Sequence, residues 1–181
     1  MSSTSFNLEL TTAETSLPIR NFWPLYLHDL ASYESKPPNA HGVLADDPEV
    51  RSYDELMPVD SPWWNQPELL FPYLLRVDGV PAGFCLVATG GYVPVPDVDF
   101  IVYEMFVAHE YRGTGAAEFA VQEALSRHRG RWEIVTWPKA ERAQAFWRKV
   151  LPGCATGEVV ETFGDHPFGE KVIFRFDNRV A

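Results

Sequence analysis

The chain has 181 residues, of which 46% are hydrophobic and 22% charged, enough for one globular domain over residues 1–181 with a core of its own and unlike a disordered or fibrous chain. A formal net charge of −10 excludes nucleic acid and anionic membrane as partners, because both need a basic face to displace counterions. No apolar run reaches bilayer-spanning length, and the polar opening Met1-Ser2-Ser3-Thr4-Ser5 lacks the charged and apolar regions of a signal peptide, so a cytoplasmic location is expected.

Residues 6–10 alternate apolar and polar side chains, the period of a strand. Over residues 18–33, Ile19, Phe22, Trp23, Tyr26, Leu27 and Leu30 recur at three- and four-residue steps, which predicts an amphipathic helix that Pro24 kinks or restarts. Residues 34–66 are rich in Pro, Asp and Asn, and read as a long loop with one short helix near residues 53–57. Two apolar runs, 71–77 and 82–88, flank Asp78-Gly79, the signature of a tight hairpin. Gly90-Gly91, Pro94 and Pro96 break the chain before a strand over 98–107.

A helix is expected over 115–128, with Ala116, Phe119, Ala120 and Leu125 inward, then a strand over 132–136. Pro138 precedes a further helix that runs to Val150 and stops at Leu151-Pro152-Gly153. Two closing strands, 157–163 and 170–176, complete a mixed α/β order without internal repeats. Cys85 in an apolar strand and Cys154 in a turn have no metal-ligand spacing and read as free thiols.

The segment from Glu104 to Ala117 carries the most chemistry, since a β-like run ends in a glycine-rich turn that opens directly into a helical pattern. Gly113 and Gly115 allow close backbone approach, and Ala116 and Ala117 leave the first helical turn uncrowded. Unpaired N–H groups and the helix dipole there suit a phosphate. A dinucleotide or triphosphate turn is the rival reading, but Gly-x-Gly-x-x-Gly and Gly-Lys-Ser/Thr endings are both missing.

Arg112-x-x-Gly115-x-Ala117 resembles the Arg/Gln-x-x-Gly-x-Gly/Ala signature of the GNAT N-acetyltransferases, and Ala140-Glu-Arg-Ala143-Gln-Ala-Phe146-Trp147 resembles their downstream Asn-x-x-Ala-x-x-Phe-Tyr motif. The likeness is specific over residues 71–151. It implies an α/β fold whose mixed, mostly antiparallel central sheet splays after the fourth strand and is flanked by helices. It also implies acetyl-coenzyme A as co-substrate, held by Met105, Phe106, Val107, Arg112, Gly113, Thr114, Gly115, Ala116, Ala117, Ala143 and Phe146, with no metal and no covalent enzyme intermediate. Ala140 and Trp147 depart from the motif, so one coenzyme contact and the tyrosine acid have no counterpart at those positions. Tyr103 or Tyr111 could serve as the acid, or a thiolate could leave without one.

Acetyl transfer to an amine needs a route for the amine proton. Glu104, a charge inside an otherwise apolar strand, is the candidate base; an exposed strand carboxylate or an ion-pair partner is the alternative. Asp99 lies nearer the proline-rich entrance and reads as a solvated strand end, and His109 and Glu110 read as loop residues. By resemblance the first helix and its following loop wall the acceptor pocket, which makes Tyr26, Asp29, Tyr33, Trp63 and Trp64 candidate substrate contacts. Each aromatic alone reads equally as core. The acceptor is expected to be an amine, in a small molecule or a peptide, and the acidic balance suits a cation as well as simple solubility. Many relatives pair, so a homodimer is a further expectation. A GNAT-like module that binds acyl-coenzyme A without efficient transfer is the rival reading.

Overall fold

A computed structural model describes residues 4–93 and 95–180. The opening residues 1–3 and Pro94 lie outside the described residues. Among those described, seven strands form one sheet: β1 (Phe6–Leu10), β2 (Leu70–Val77), β3 (Val80–Thr89), β4 (Phe100–Val107), β5 (Arg131–Thr136), β6 (Val160–Gly164) and β7 (Lys171–Asp177), in the order β1-β2-β3-β4-β5-β7-β6. Every neighbouring pair is antiparallel except β4 with β5. Helices α1 (Leu17–Glu34), α2 (Tyr53–Leu56), α3 (Pro62–Asn65), α4 (Ala116–Arg127) and α5 (Glu141–Val150) flank it.

Alternation along the strands divides the core. One face carries Leu75, Cys85, Val87, Val102 and Ile134 against Ala120, Val121 and Leu125 of α4 and Trp147 of α5. The other carries Leu74, Phe84, Leu86, Ile101 and Phe106 against Ile19 and Tyr26 of α1. Because each strand has period two, both faces can be apolar only where helices cover both, and here they do.

Asp78 (φ 49°) and Gly79 (φ 80°) both adopt the left-handed conformation, so the β2–β3 hairpin turns as its sequence predicts. Gly83 is needed for a different reason: an added Cβ would lie 2.1 Å from the Phe106 carbonyl oxygen of β4. Two features of the helices go beyond the sequence expectation, the first by excluding a new helix start at Pro24. Pro24 lies inside one continuous helix, because Phe22, Trp23 and Tyr26 around it are held on Phe106 and Phe84 at ring-centroid distances of 5.6–5.9 Å. Tertiary packing there outweighs the missing N–H. The long loop also holds a second short helix, α3, started by Ser61, whose hydroxyl accepts from the Trp63 N–H, and by Pro62. No helix among the described residues is long and apolar enough to cross a membrane.

Candidate active site

The site begins where β4 leaves β5. The two strands pair in parallel at Phe100–Trp132, Ile101–Glu133 and Val102–Ile134, and then part. At the same point the β3–β4 register slips: Leu86 faces Glu104 while Val87 faces Val102, so Tyr103 is an extra residue in β4. Such a bulge resets the alternation of side chains. Tyr103 and Glu104, adjacent in sequence, therefore both reach the α1 face, Tyr103 against Trp63 and Tyr92 and Glu104 against Tyr26. Beyond the bulge the Ala108 N–H donates to Ala82 O of β3 at 2.8 Å, so strand alternation turns the main-chain groups of Phe106 toward β3 and those of Met105 and Val107 into the split.

The split leads to the turn. Gly113 (φ 77°) and Gly115 (φ 93°) are both left-handed, and an added Cβ would meet nothing within 4 Å at either. Glycine is required here by backbone conformation and not by crowding. The N–H groups of Gly113, Thr114, Gly115, Ala116 and Ala117 have no protein acceptor among the described residues, whereas those of Tyr111 and Arg112 are satisfied by Ala108 O and His109 O. The Thr114 hydroxyl donates to Tyr111 O at 2.8 Å and braces the turn from below. Five donors at the head of a twelve-residue helix make a candidate anion cradle.

The Arg112 side chain turns away from this cradle. Its Nε donates to Val107 O at 2.8 Å, its guanidinium lies 5.6 Å from the Phe106 ring centroid, and its outer nitrogen pairs with Asp29 of α1. Asp29 thus braces α1 against the end of β4. On α5, Ala143 and Phe146 are half-buried against the core beside α4, and Trp147 is buried in it. Lys149 reaches Glu118 of α4 at 2.9 Å and Arg148 reaches Glu161, while Lys139 and Arg142 have no ion-pair partner among the described residues.

On the α1 side a cavity of about 270 Å³ reaches down to Glu104. Tyr26, Leu27, Leu30 and Glu34 of α1 line it, together with Leu44, Leu56 and the Lys36–Asp46 pair. The Tyr26 hydroxyl donates to Glu104 Oε2. Burial pushes the Glu104 carboxyl up to about 7, with the Glu34 charge adding to the rise and the Tyr26 hydrogen bond and the Lys171 cation opposing it. Burial, with the Glu104 charge, drives the Tyr26 phenol well above its ordinary range. Lys171 of β7 is only 3% exposed, with its ammonium 3.1 Å from the Trp137 ring centroid and bonded to Phe168 O; Phe168 in turn stands edge-on to Tyr103. Burial lowers its pKa while Glu34 and Glu104 oppose the shift.

The remaining candidates are dispersed. Tyr33 lines a second cavity with Glu34, Trp137, Lys139 and Glu170, while Trp63 is buried against Tyr103. The Trp64 indole N–H donates to the Thr11 hydroxyl at 3.0 Å, away from Glu104. Asp99 is held below the usual carboxylate range by hydrogen bonds from Arg131, at the far end of the strand from Glu104. Burial drives the Cys85 thiol up to about 12, which leaves it no nucleophile. Sequence reasoning did not single out Glu34 or Lys171. The signal for Lys171 was present, since it opens an apolar strand as a charge, the same anomaly that marked Glu104.

The acetyltransferase (GNAT) family model matches residues 37–151. No curated protein matches by sequence. An acetyltransferase from Thermus thermophilus shares the fold with a TM-score of 0.61 at 15% identity, over 96% of this chain and 97% of that one. An aminoglycoside acetyltransferase in complex with coenzyme A and kanamycin gives 0.58 at 16% identity, over 96% and 95%. A ribosomal alpha-N-protein acetyltransferase in complex with coenzyme A gives 0.59 at 13% identity, over 97% and 95%.

Proposed function

The chain belongs to the acetyltransferase (GNAT) family, and from that premise we propose that it moves an acetyl group from acetyl-coenzyme A to a primary amine by direct attack in a ternary complex. The observation that carries the reading is the parting of β4 from β5 after Val102, with Glu104 on its α1 side and unpaired amides at the head of α4 beyond it. The residues present fit the coenzyme: the N–H groups of residues 113–117 would take the pyrophosphate, the main chain of Met105 and Val107 would border the pantetheine arm, and Ala143 and Phe146 would flank it. When bound, the coenzyme supplies an activated acetyl carbonyl.

The protein's own part is to bind the amine, hold it, and take its proton. An amine in the cavity meets Glu104, whose Oε2 is engaged by Tyr26 and whose Oε1 is left for the incoming N–H. With a pKa near 7 this carboxyl is ionised in part at neutral pH, and it is a far better base than an exposed glutamate. The Val107 N–H at the split can donate to a developing oxyanion. Asp29 contributes indirectly, through Arg112, to the position of the β4 end. A cavity of this size suits a small-molecule acceptor, and one structural neighbour is in complex with kanamycin.

A second reading, an acyl-coenzyme A-binding module without efficient transfer, is favoured by Trp147, which is buried in the core where relatives offer a tyrosine hydroxyl. Thiol release with acetyl-coenzyme A and an amine panel separates the two. Turnover with kcat/KM rising through about pH 7, and lowered by ~100-fold or more in Glu104→Gln while coenzyme A affinity holds, is the expected outcome. Binding with no turnover on any amine would favour the module.

A further inference from the structure

The cavity above Glu104 has an order of chemistry along it. Tyr26, Leu30 and Glu34 stand four residues apart on one face of α1, so the step from the residue that touches Glu104 to the carboxylate at the mouth is ~12 Å along the helix axis. Between these ends the helix contributes Leu27 and Leu30, and Leu44 and Leu56 add to the aliphatic lining of the cavity. Along α1 the lining is thus anionic where Tyr26 meets Glu104, apolar at Leu27 and Leu30, and anionic again at Glu34. Among the described residues its one lining cation, Lys36, is paired with Asp46.

We propose that the acceptor is a linear diamine, with one amine at Glu104, a methylene chain along Leu27 and Leu30, and the second ammonium held by Glu34. This rests on the acetyl-transfer reading above and assigns Glu34 as the residue that selects the acceptor. A monoamine of the same length would bury the same hydrocarbon and add no charge contact with Glu34, which among the described residues has only the Lys171 cation in its field and Lys139 beside it in the second cavity. An amino acid would bring a carboxylate into a cavity already lined by Glu34, Asp46 and Glu104, whose one described lining cation, Lys36, is taken by Asp46. Glu34 is exposed and also lines the second cavity, so the far ammonium stays partly hydrated and its contribution is that of a surface pair, modest but selective.

Cadaverine, pentylamine and lysine share one five-carbon chain and differ only in the groups the proposal distinguishes. Each is titrated into the protein saturated with coenzyme A, and affinity is read by calorimetry, so that turnover is not needed for the answer. Cadaverine should bind ~5-fold more tightly than pentylamine and ~30-fold more tightly than lysine. In Glu34→Gln the cadaverine-to-pentylamine ratio should fall to about one; the site is exposed, and an unchanged melting temperature checks the fold. Equal or tighter binding of pentylamine or lysine, a ratio that survives Glu34→Gln, or no binding of cadaverine would each overturn the proposal. If the affinity order holds without thiol release, the cavity assignment stands and the transfer reading fails. If other amines turn over while the order is reversed, transfer stands and the diamine falls.

Discussion

Strand β4 behaves as two different objects joined at Tyr103. Residues 100–102 are paired on both edges, to β3 and β5, and are sealed at the strand start by the Asp99–Arg131 pair and by the Phe100 ring, tilted against Trp132 and His128 at centroid distances of 5.1 and 5.0 Å. Residues 104–107 keep β3 but lose β5, and their bare edge faces the split. Each half places a titratable group in a desolvated setting. At the closed end burial pushes the His128 imidazole down to about 4, with Tyr73 hydroxyl 2.8 Å from its Nε2; at the open end burial pushes Glu104 up to about 7. The same force makes a base and an acid neutral. The difference lies in access: His128 is walled by aromatic rings, whereas Glu104 opens on a cavity. A paired edge turns burial into rigidity, and an unpaired one turns it into reactivity.

The comparison is tested most severely in the closed half. Trp132→Ala should cost about 3–5 kcal/mol of unfolding free energy in a urea titration, since the ring is 1% exposed and stacks with Phe176. A loss below about 1 kcal/mol would mean that the sealed end does not anchor the strand. In the open half, Gly115→Asp sets a carboxylate over the anion cradle and should weaken coenzyme A binding ~100-fold, measured calorimetrically with the far-UV circular dichroism unchanged. Unaltered affinity would remove the cradle assignment.

Next in size is a stability difference with a definite sign. Folded Glu104 binds its proton up to about pH 7 whereas an unfolded glutamate loses it near 4.5, so the folded state holds the extra proton between these values and its stability declines as pH rises through them. Glu104→Gln should therefore be the more stable protein at pH 8, by roughly 2 kcal/mol, with the advantage fading toward pH 4. His128 runs the other way: an unfolded histidine takes a proton near 6.5 and the folded one only near 4, so its share of stability is lost as pH falls across that interval. Thermal melts of both proteins across pH 4–8 read the two slopes, and an advantage for Glu104→Gln that does not vary with pH would place Glu104 in water. The smallest effect belongs to Lys171. Replacing it by Met keeps the packing under Trp137 and removes a cation that opposes the rise at Glu104, so the acid limb of kcat/KM should move to higher pH by a fraction of a unit. An unmoved limb would take Lys171 out of the field of the base.

Local pattern was enough for most of the architecture. Apolar runs, period-3.6 spacing and turn residues located the seven strands and three long helices of the described residues, and Asp78-Gly79 announced left-handed backbone because few other residues adopt it. Glu104 was visible as a charge where an apolar side chain was due. The sequence by itself determined where the chain turns and which residues prefer burial, since those depend on neighbours a few positions away. Only the tertiary structure decided that Pro24 stays within a helix, that Tyr103 bulges against β3, that β5 leaves β4 after Val102, and that Glu34 and Lys171 join the field around Glu104. Arg112 finds Asp29 across 83 positions, and Tyr26 finds Glu104 across 78. Such contacts arise from strand registry and helix docking, which sum many weak long-range terms that no short window of sequence contains.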